Sequence, residues 1–324
     1  MTVKSRLLEL LEKHKGEVLS GERIAGELNC TRAAVWKAVK SLREEGYTIE
    51  AAQNKGYCLS ESSNRLSAEG VRLYLDSPDV MIEIYKETDS TNRVAKQAAL
   101  TGHAGHGAFV AAGCQTAGRG LKGRVFYSPM DAGLYLSVIL KPNGTVQESL
   151  LFTTAAATAV YKAVRDICGI SLDIKWVNDL FYQGKKVCGI LTEAVTDFES
   201  GDIQFIVVGI GVNLYQDPET LPEELKGVAG AIYQTAKDAE AADRNKLTAA
   251  IVNYLLDEIK ERKVSKEYIE HNIVPGHKIH ILDGERTRYV DALSICEDGR
   301  LCVREQDGQE SLLSYGEVSI VQLF

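Results

Sequence analysis

The sequence predicts an α+β protein in three parts: an N-terminal winged helix-turn-helix, a central mixed sheet with helices packed on it, and a C-terminal SH3-like β-barrel. Three observations predict it. Residues 1–63 run helix, short helix, tight turn, capped basic helix and hairpin. Residues 64–272 alternate near-continuous apolar strand runs with amphipathic helical runs. In 273–324, short β runs are punctuated by Asp283-Gly284, Asp298-Gly299 and Asp307-Gly308, each a hairpin signal.

The first part is justified residue by residue. Leu7, Leu8, Leu10 and Leu11 fall on one helical face in 5–15, and Gly16 ends that run. Ser20 opens a second short helix with Ile24, Ala25 and Leu28 inward, and Asn29-Cys30 is the turn. Thr31 is a strong N-cap for a third helix over 32–45, with Val35, Val39 and Leu42 as its apolar seam and Gly46 as its stop. Arg32, Lys37, Lys40 and Arg43 face away from that seam. Asn54-Lys55-Gly56 then reads as the basic tip of a two-stranded wing. The candidate DNA-facing residues are Ser20, Thr31, Arg32, Ala33, Trp36, Lys37, Lys40 and Lys55. A solvated three-helix domain would also carry cationic faces; the order of elements favours DNA. Residues 60–64, Ser-Glu-Ser-Ser-Asn, read as a linker.

In the central part, 80–85 reads as a strand and Asp89-Ser90-Thr91-Asn92 as the start of a helix reaching Leu100. Strands follow at 108–112 and 133–141, a long helix at 147–168, and a strand at 172–177 that delivers Asn178 and Asp179 at its end. A hairpin turns at Gln183-Gly184, Glu199–Asp202 is a further turn, and 203–208 is another strand. Residues 219–242 give no clear pattern, and 244–263 reads as a helix.

Composition excludes several classes. No apolar run is long enough to span a membrane, and Met-Thr-Val-Lys before an amphipathic helix is not a signal peptide. Seven cysteines without a C-x-x-C pair argue for reduced thiols in a cytoplasmic protein rather than a zinc cluster. Residues 1–63 hold ten Lys/Arg and nine Asp/Glu, net +1, which leaves −9 for the rest of a chain of net −8. A near-neutral head on an acidic body makes the head the DNA-facing part.

Two stretches carry the chemistry. Gly118-Arg119-Gly120-Leu121-Lys122-Gly123-Arg124, preceded by Gln115, packs three glycines and three cations into seven residues. It lies between two strands and fits neither a Rossmann fingerprint nor a P-loop, so it suits a mobile cover over an anion. Lys175-Trp176-Val177-Asn178-Asp179 ends a strand, and Lys186 follows on the neighbouring hairpin strand. Asp179 could hold Mg²⁺ beside a nucleotide phosphate, and Lys186 could neutralise a carboxylate and a phosphate that must meet. A flexible charged loop, a turn-starting aspartate and a solvated lysine are the plain alternatives.

Together with Gly189-Ile190-Leu191 and Gly209-Ile210-Gly211-Val212-Asn213, these blocks resemble the signature of the biotin protein ligases. With the winged helix, the whole chain resembles the bifunctional ligases that double as biotin operon repressors. Two positions depart from the family's usual pattern: Val177 stands where proline is usual and Leu121 where a further arginine is frequent. The resemblance implies a class II synthetase-like central domain that uses ATP and Mg²⁺ to join biotin to AMP, and then transfers the biotinyl group to a lysine of a carboxylase's biotin carboxyl carrier domain. It implies catalytic roles for Lys186, Arg119 and Asp179, with Asp179 on the metal side. The implied biotin contacts are Ser90, Thr91, Asn92, Gln115, Gly118, Arg119, Gly120, Arg124, Lys186 and Gly189. The implied ATP contacts are Arg124, Phe126, Asn178, Asp179 and Asn213. Biotinyl-5′-AMP is implied as co-repressor of a homodimer on operator DNA. Two other classes compete: a non-enzymatic regulator that only senses a ligand, and a lipoate or octanoate ligase on the same catalytic fold.

Overall fold

Helix α1 (Val3–Lys13) starts where Thr2 accepts the Ser5 backbone N–H at 3.2 Å. The same device opens α2 (Gly21–Glu27), capped by Ser20 on Arg23 N–H, and α3 (Arg32–Glu44), capped by Thr31 on Ala34 N–H, each at 3.1 Å. The computed structural model describes residues 2–52, 55–142, 149–196, 203–283, 286–314 and 317–321. The expected wing-tip Asn54, helix start at 147, turn at Glu199–Asp202 and Gly284 lie outside the described residues. The chain divides into two compact units, Met1–Asp79 with Lys237–Ala250, and Val80–Ala236 with Ile251–Phe324.

In the first unit, Leu7, Leu8 and Leu11 of α1 meet Ile24 of α2 and Val35, Val39 and Leu42 of α3 in one buried cluster. Strands β1 (Ile49–Ala52) and β2 (Gly56–Leu59) form the antiparallel wing, Ile49 opposite Leu59 and Ala52 opposite Gly56. Gly56 has φ +133°, and a side chain there would collide with the Leu19 carbonyl, so this approach needs glycine. Arg43 is exposed, as expected, and donates to the Ile49 carbonyl at 2.8 Å, tying the wing to α3. A five-residue helix, α4 (Ala68–Arg72), follows under a Ser67 cap, and Asn245 accepts the Ser67 N–H at 2.9 Å.

The second unit holds a seven-stranded sheet. Its strands are β3 (Ile82–Tyr85), β4 (Phe109–Ala112), β5 (Gly133–Leu140), β6 (Asp173–Lys175), β7 (Asp179–Tyr182), β8 (Lys185–Thr196) and β9 (Ile203–Asn213), in the order β3-β4-β5-β9-β8-β7-β6. Only β3 and β4 pair in parallel, so the sheet is mixed and largely antiparallel as expected. β5 lies between β4 and β9 and is buried along its whole length, with α5 packed on it. Each such Leu, Ile or Val contributes about 1.5–3 kcal/mol by leaving water. Helices α5 (Thr91–Leu100) and α6 (Ser149–Cys168) flank these strands. Later come α7 (Ala236–Glu240), α8 (Arg244–Glu258) and α9 (Lys266–Glu270).

Two expectations about where elements end are corrected. The strand expected at 172–177 stops at Lys175, and Asp179 opens the next strand instead of closing that one. The helix expected to reach 263 ends at Glu258. The peptide between Trp176 and Val177 is cis. The C-terminal strands β10 (Lys278–Asp283), β11 (Arg286–Ile295), β12 (Leu301–Arg304), β13 (Glu310–Leu313) and β14 (Glu317–Ile320) form an antiparallel sheet in the order β13-β12-β11-β10-β14. No β13–β14 pairing closes it into a barrel among the described residues. Trp176 Nε1 donates to the Gly299 carbonyl at 2.9 Å, anchoring the strand junction to the β11–β12 turn.

Candidate active site

The site is laid out as rows across one sheet face. Asp179 pairs with Gly189, Gly189 with Gly211, and Gly211 with Tyr135, so these four point the same way across β7, β8, β9 and β5. A register shift in β7–β8 sets Phe181 opposite Lys186 but Leu180 opposite Cys188. Without that bulge, Lys186 and Gly189, three apart, would face opposite sides. With it, Lys186 joins the Asp179 face, and its Nζ lies 2.5 Å from Asp179 Oδ1. The two glycines leave room above the sheet, and Phe126 fills it. A side chain at Gly189 would place its first carbon 3.1 Å from the Phe126 ring, and one at Gly211 would overlap the ring. Tyr135 meets the same ring edge-on, centroids 6.4 Å apart at 74°.

Above this row runs the glycine-rich loop. Arg119 bridges to Val125, and Gly120 N–H donates to the Arg124 carbonyl at 2.7 Å, which makes a small hairpin around the 3₁₀ turn Leu121–Gly123. Arg119, Leu121, Lys122 and Arg124 are exposed, while Gly118 is buried against the Phe126 carbonyl and Ser128. Lys122 Nζ reaches the Leu282 carbonyl of β10 at 3.4 Å.

Beside the row lies a polar cluster. Ser90 begins α5 without a side-chain cap bond, and its N–H donates to Asp89 Oδ1 at 2.7 Å. Gln115 Oε1 accepts the Thr91 N–H at 2.9 Å and lies 3.1 Å from its hydroxyl, while Gln115 Nε2 donates to Ser128 at 3.0 Å. Asn92 packs where Gly209 has no side chain. Thus Thr91, Asn92, Gln115 and Gly118 come together on one side, and Asp179, Lys186, Gly189 and Phe126 on the other. Asn178 and Asn213 do different work: Asn178 donates to the Ile190 carbonyl at 2.8 Å, and buried Asn213 donates to the Gly230 carbonyl at 3.0 Å. Burial pushes the Cys188 thiol well up, so it is no nucleophile. A cleft of about 320 Å³ near His106 and Lys141 and another of that size near Tyr182 and Gln216 are not lined by Asp179 or Lys186.

Sequence reasoning missed Ser128, Tyr135, Ser137, Lys96 and Glu193, which complete this cluster. Alternation from Gly189 through Leu191 puts Glu193 on the site face, a signal present in the sequence but unreadable without knowing the neighbouring strands. In the first unit, Arg32, Ala33, Lys37, Lys40 and Lys55 are exposed, Trp36 is 56% exposed, and Lys40 Nζ lies 5.9 Å from the Trp36 ring. The Ser20 and Thr31 hydroxyls are engaged as caps.

The first unit is thus a helix-turn-helix and the second a mixed sheet that carries this lysine–aspartate pair. Residues 84–213 match the biotin/lipoate A/B protein ligase family, and residues 3–58 match a helix-turn-helix domain. The chain is 33% identical to the bifunctional ligase/repressor BirA of Bacillus subtilis, covering 97% of each chain. It is 28% identical to BirA of Escherichia coli, covering 98% of this chain and 97% of that one. The structure of the Aquifex aeolicus biotin protein ligase in complex with biotin and ATP superposes with a TM-score of 0.59 at 26% identity, over 74% of this chain and 97% of that one. The chain therefore belongs to the biotin protein ligase family, and within it to the ligases that carry an N-terminal helix-turn-helix repressor domain.

Proposed function

We propose that the second unit activates biotin with ATP and transfers it to a carrier-protein lysine, and that the first unit represses transcription when the adenylate is bound. The observation that carries the reading is the Lys186–Asp179 pair at 2.5 Å beside the glycine-cleared floor. A biotin carboxylate and an ATP α-phosphate are both anions, and a cation between them lowers their repulsion as charge develops. The carboxylate oxygen attacks the α-phosphorus, the bond to the β-phosphate oxygen breaks, and pyrophosphate leaves. The carrier lysine amine then attacks the acyl carbon of biotinyl-5′-AMP, and AMP leaves with the anhydride electrons.

Ser90, Thr91, Asn92 and Gln115 hold the ureido ring, with Gly118, Gly120 and Gly189 allowing close approach. Arg119 and Arg124 fold over carboxylate and phosphate. Phe126 packs against adenine. Asn178 and Asn213 border the ATP side. Mg²⁺ fits as a guest of the triphosphate: Asp179 supplies one carboxylate, and among the described residues no group of three or more metal ligands exists. Bound there, it would screen phosphate charge.

The three-domain division at 63 and 272, with an SH3-like last module, is part of this reading, as is a cytoplasmic location. So is a homodimer whose two winged helices match a two-fold operator. Biotin-dependent exchange of pyrophosphate into ATP tests the enzyme: exchange requiring biotin is expected, and its absence removes the reading.

A further inference from the structure

We propose that Glu193, through Asn92 and Ser137, is a positioning residue that makes the ureido subsite an acceptor of hydrogen bonds; this rests on the assignment of Thr91 and Gln115 to biotin. Glu193 stands on β8, and its carboxylate receives the Lys96 ammonium on Oε1 and Asn92 Nδ2 on Oε2, the latter at 2.7 Å. Asn92 is 5% exposed, and its Nδ2 also reaches the Leu191 carbonyl at 3.3 Å. Ser137 is fully buried, and its Oγ lies 2.6 Å from Asn92 Oδ1 and 2.7 Å from Thr91 Oγ1.

Counting protons fixes the direction of this chain. A carboxylate only accepts, so Glu193 requires the NH₂ end of the Asn92 amide and turns its oxygen to Ser137. That oxygen only accepts, so it takes the single Ser137 hydroxyl proton. The proton between the two hydroxyls must then come from Thr91. Thr91 Oγ1 is left as an acceptor, and Gln115 Oε1 keeps one lone pair beyond the Thr91 N–H it already receives. Two acceptors suit the two N–H groups of a cyclic urea.

Without Glu193, only the longer 3.3 Å bond to the Leu191 carbonyl holds the Asn92 amide in this sense, and the reversed amide competes with it. Ser137 then accepts from it and donates to Thr91, and Thr91 donates to Gln115 Oε1. Both acceptors are consumed inside the protein. Buried polar chains of this kind act as a unit, so one end decides the other.

The test is steady-state pyrophosphate exchange by the full chain. Glu193→Ala is expected to raise the KM for biotin about tenfold, the worth of one hydrogen bond to ligand, with the KM for ATP unchanged. Glu193→Gln is expected to restore the biotin KM, because its amide oxygen still accepts from Asn92 while Lys96 turns to water. Ser137→Ala, which cuts the chain in the middle, is expected to raise the biotin KM alike. Wild type should prefer biotin to its ring-N-methylated analogue, and that preference should shrink in Glu193→Ala and Ser137→Ala. Equal rises in both KM values, an unchanged biotin KM in Ser137→Ala, or an undiminished preference would overturn the proposal. Absence of biotin-dependent exchange in the wild type would instead overturn the biotin assignment beneath it.

Discussion

The two units bury carboxylates in opposite ways. In the first, Glu12 of α1 is 7% exposed, and its Oε1 has no hydrogen-bond partner among the described residues. Burial pushes its carboxyl up to about 7; Lys15 pulls it down, and Asp243 and Glu69 push it further up. In the second unit, Asp179 Oδ1 likewise makes no hydrogen bond but lies in an ion pair with Lys186, and Glu193 meets both Lys96 and the Asn92 amide. An acid without a partner answers burial by keeping its proton; an acid with donors becomes a fixed point that orients its neighbours. The first arrangement makes a pH-sensitive core. The second makes a site.

Removing a whole region breaks the comparison most sharply. Deleting residues 1–63 should abolish operator binding in a mobility-shift assay while leaving measurable biotin-dependent exchange. A retained operator shift would refute the division of labour. Next in size is the paired carboxylate's partner. Lys186→Ala should lower the exchange rate about 10²–10³-fold, the range for removing one donor to developing charge. Its melting temperature should stay near wild type, since the pair is partly solvated; near-normal exchange would remove Lys186 from the chemistry.

The unpartnered acid gives the third prediction. Its folded value near 7 exceeds the ordinary 4.5, so the folded state holds the proton more tightly. Stability from this group is full below about 4.5 and is lost as pH rises toward and through 7, in total about 3 kcal/mol. Glu12→Gln mimics the protonated form. It should raise the melting temperature of the first unit at pH 8 and change it little at pH 4.5. An equal shift at both pH values would show that packing, not the proton, is responsible.

What was legible in the sequence follows from how local each signal is. The winged helix was readable because caps, seams and stops sit within a few residues of one another: Thr31, Val35 and Gly46 announce α3 unaided. Helices α4, α7 and α9, five residues each, are too short for a 3.6-residue period to register. In the site, Asp179 and Lys186 were readable as chemistry and through the family's motifs, yet their meeting depends on a bulge at Val187 that spacing does not reveal. Strict alternation would have set Lys186 and Gly189 on opposite faces. Glu193 and Ser137 were unreadable for another reason: they matter through partners 101 and 45 residues away in sequence.

The smallest expected effect belongs to the exposed charges of the first unit, where neither burial nor a fixed partner amplifies a change. Lys55 is exposed just before β2, beyond the core that holds Tyr57 and Leu59. A single lysine facing a phosphate contributes through counterion release and carries no base information. Lys55→Ala should therefore weaken operator and non-operator DNA alike and reduce the slope of log affinity against log salt by about 1. Trp36, exposed on α3 with Lys40 beside it, is placed differently, on the helix expected to carry base recognition. A Lys55→Ala loss confined to operator sequence would move base recognition from α3 to the wing, and a loss shared by all sequences leaves it on the helix.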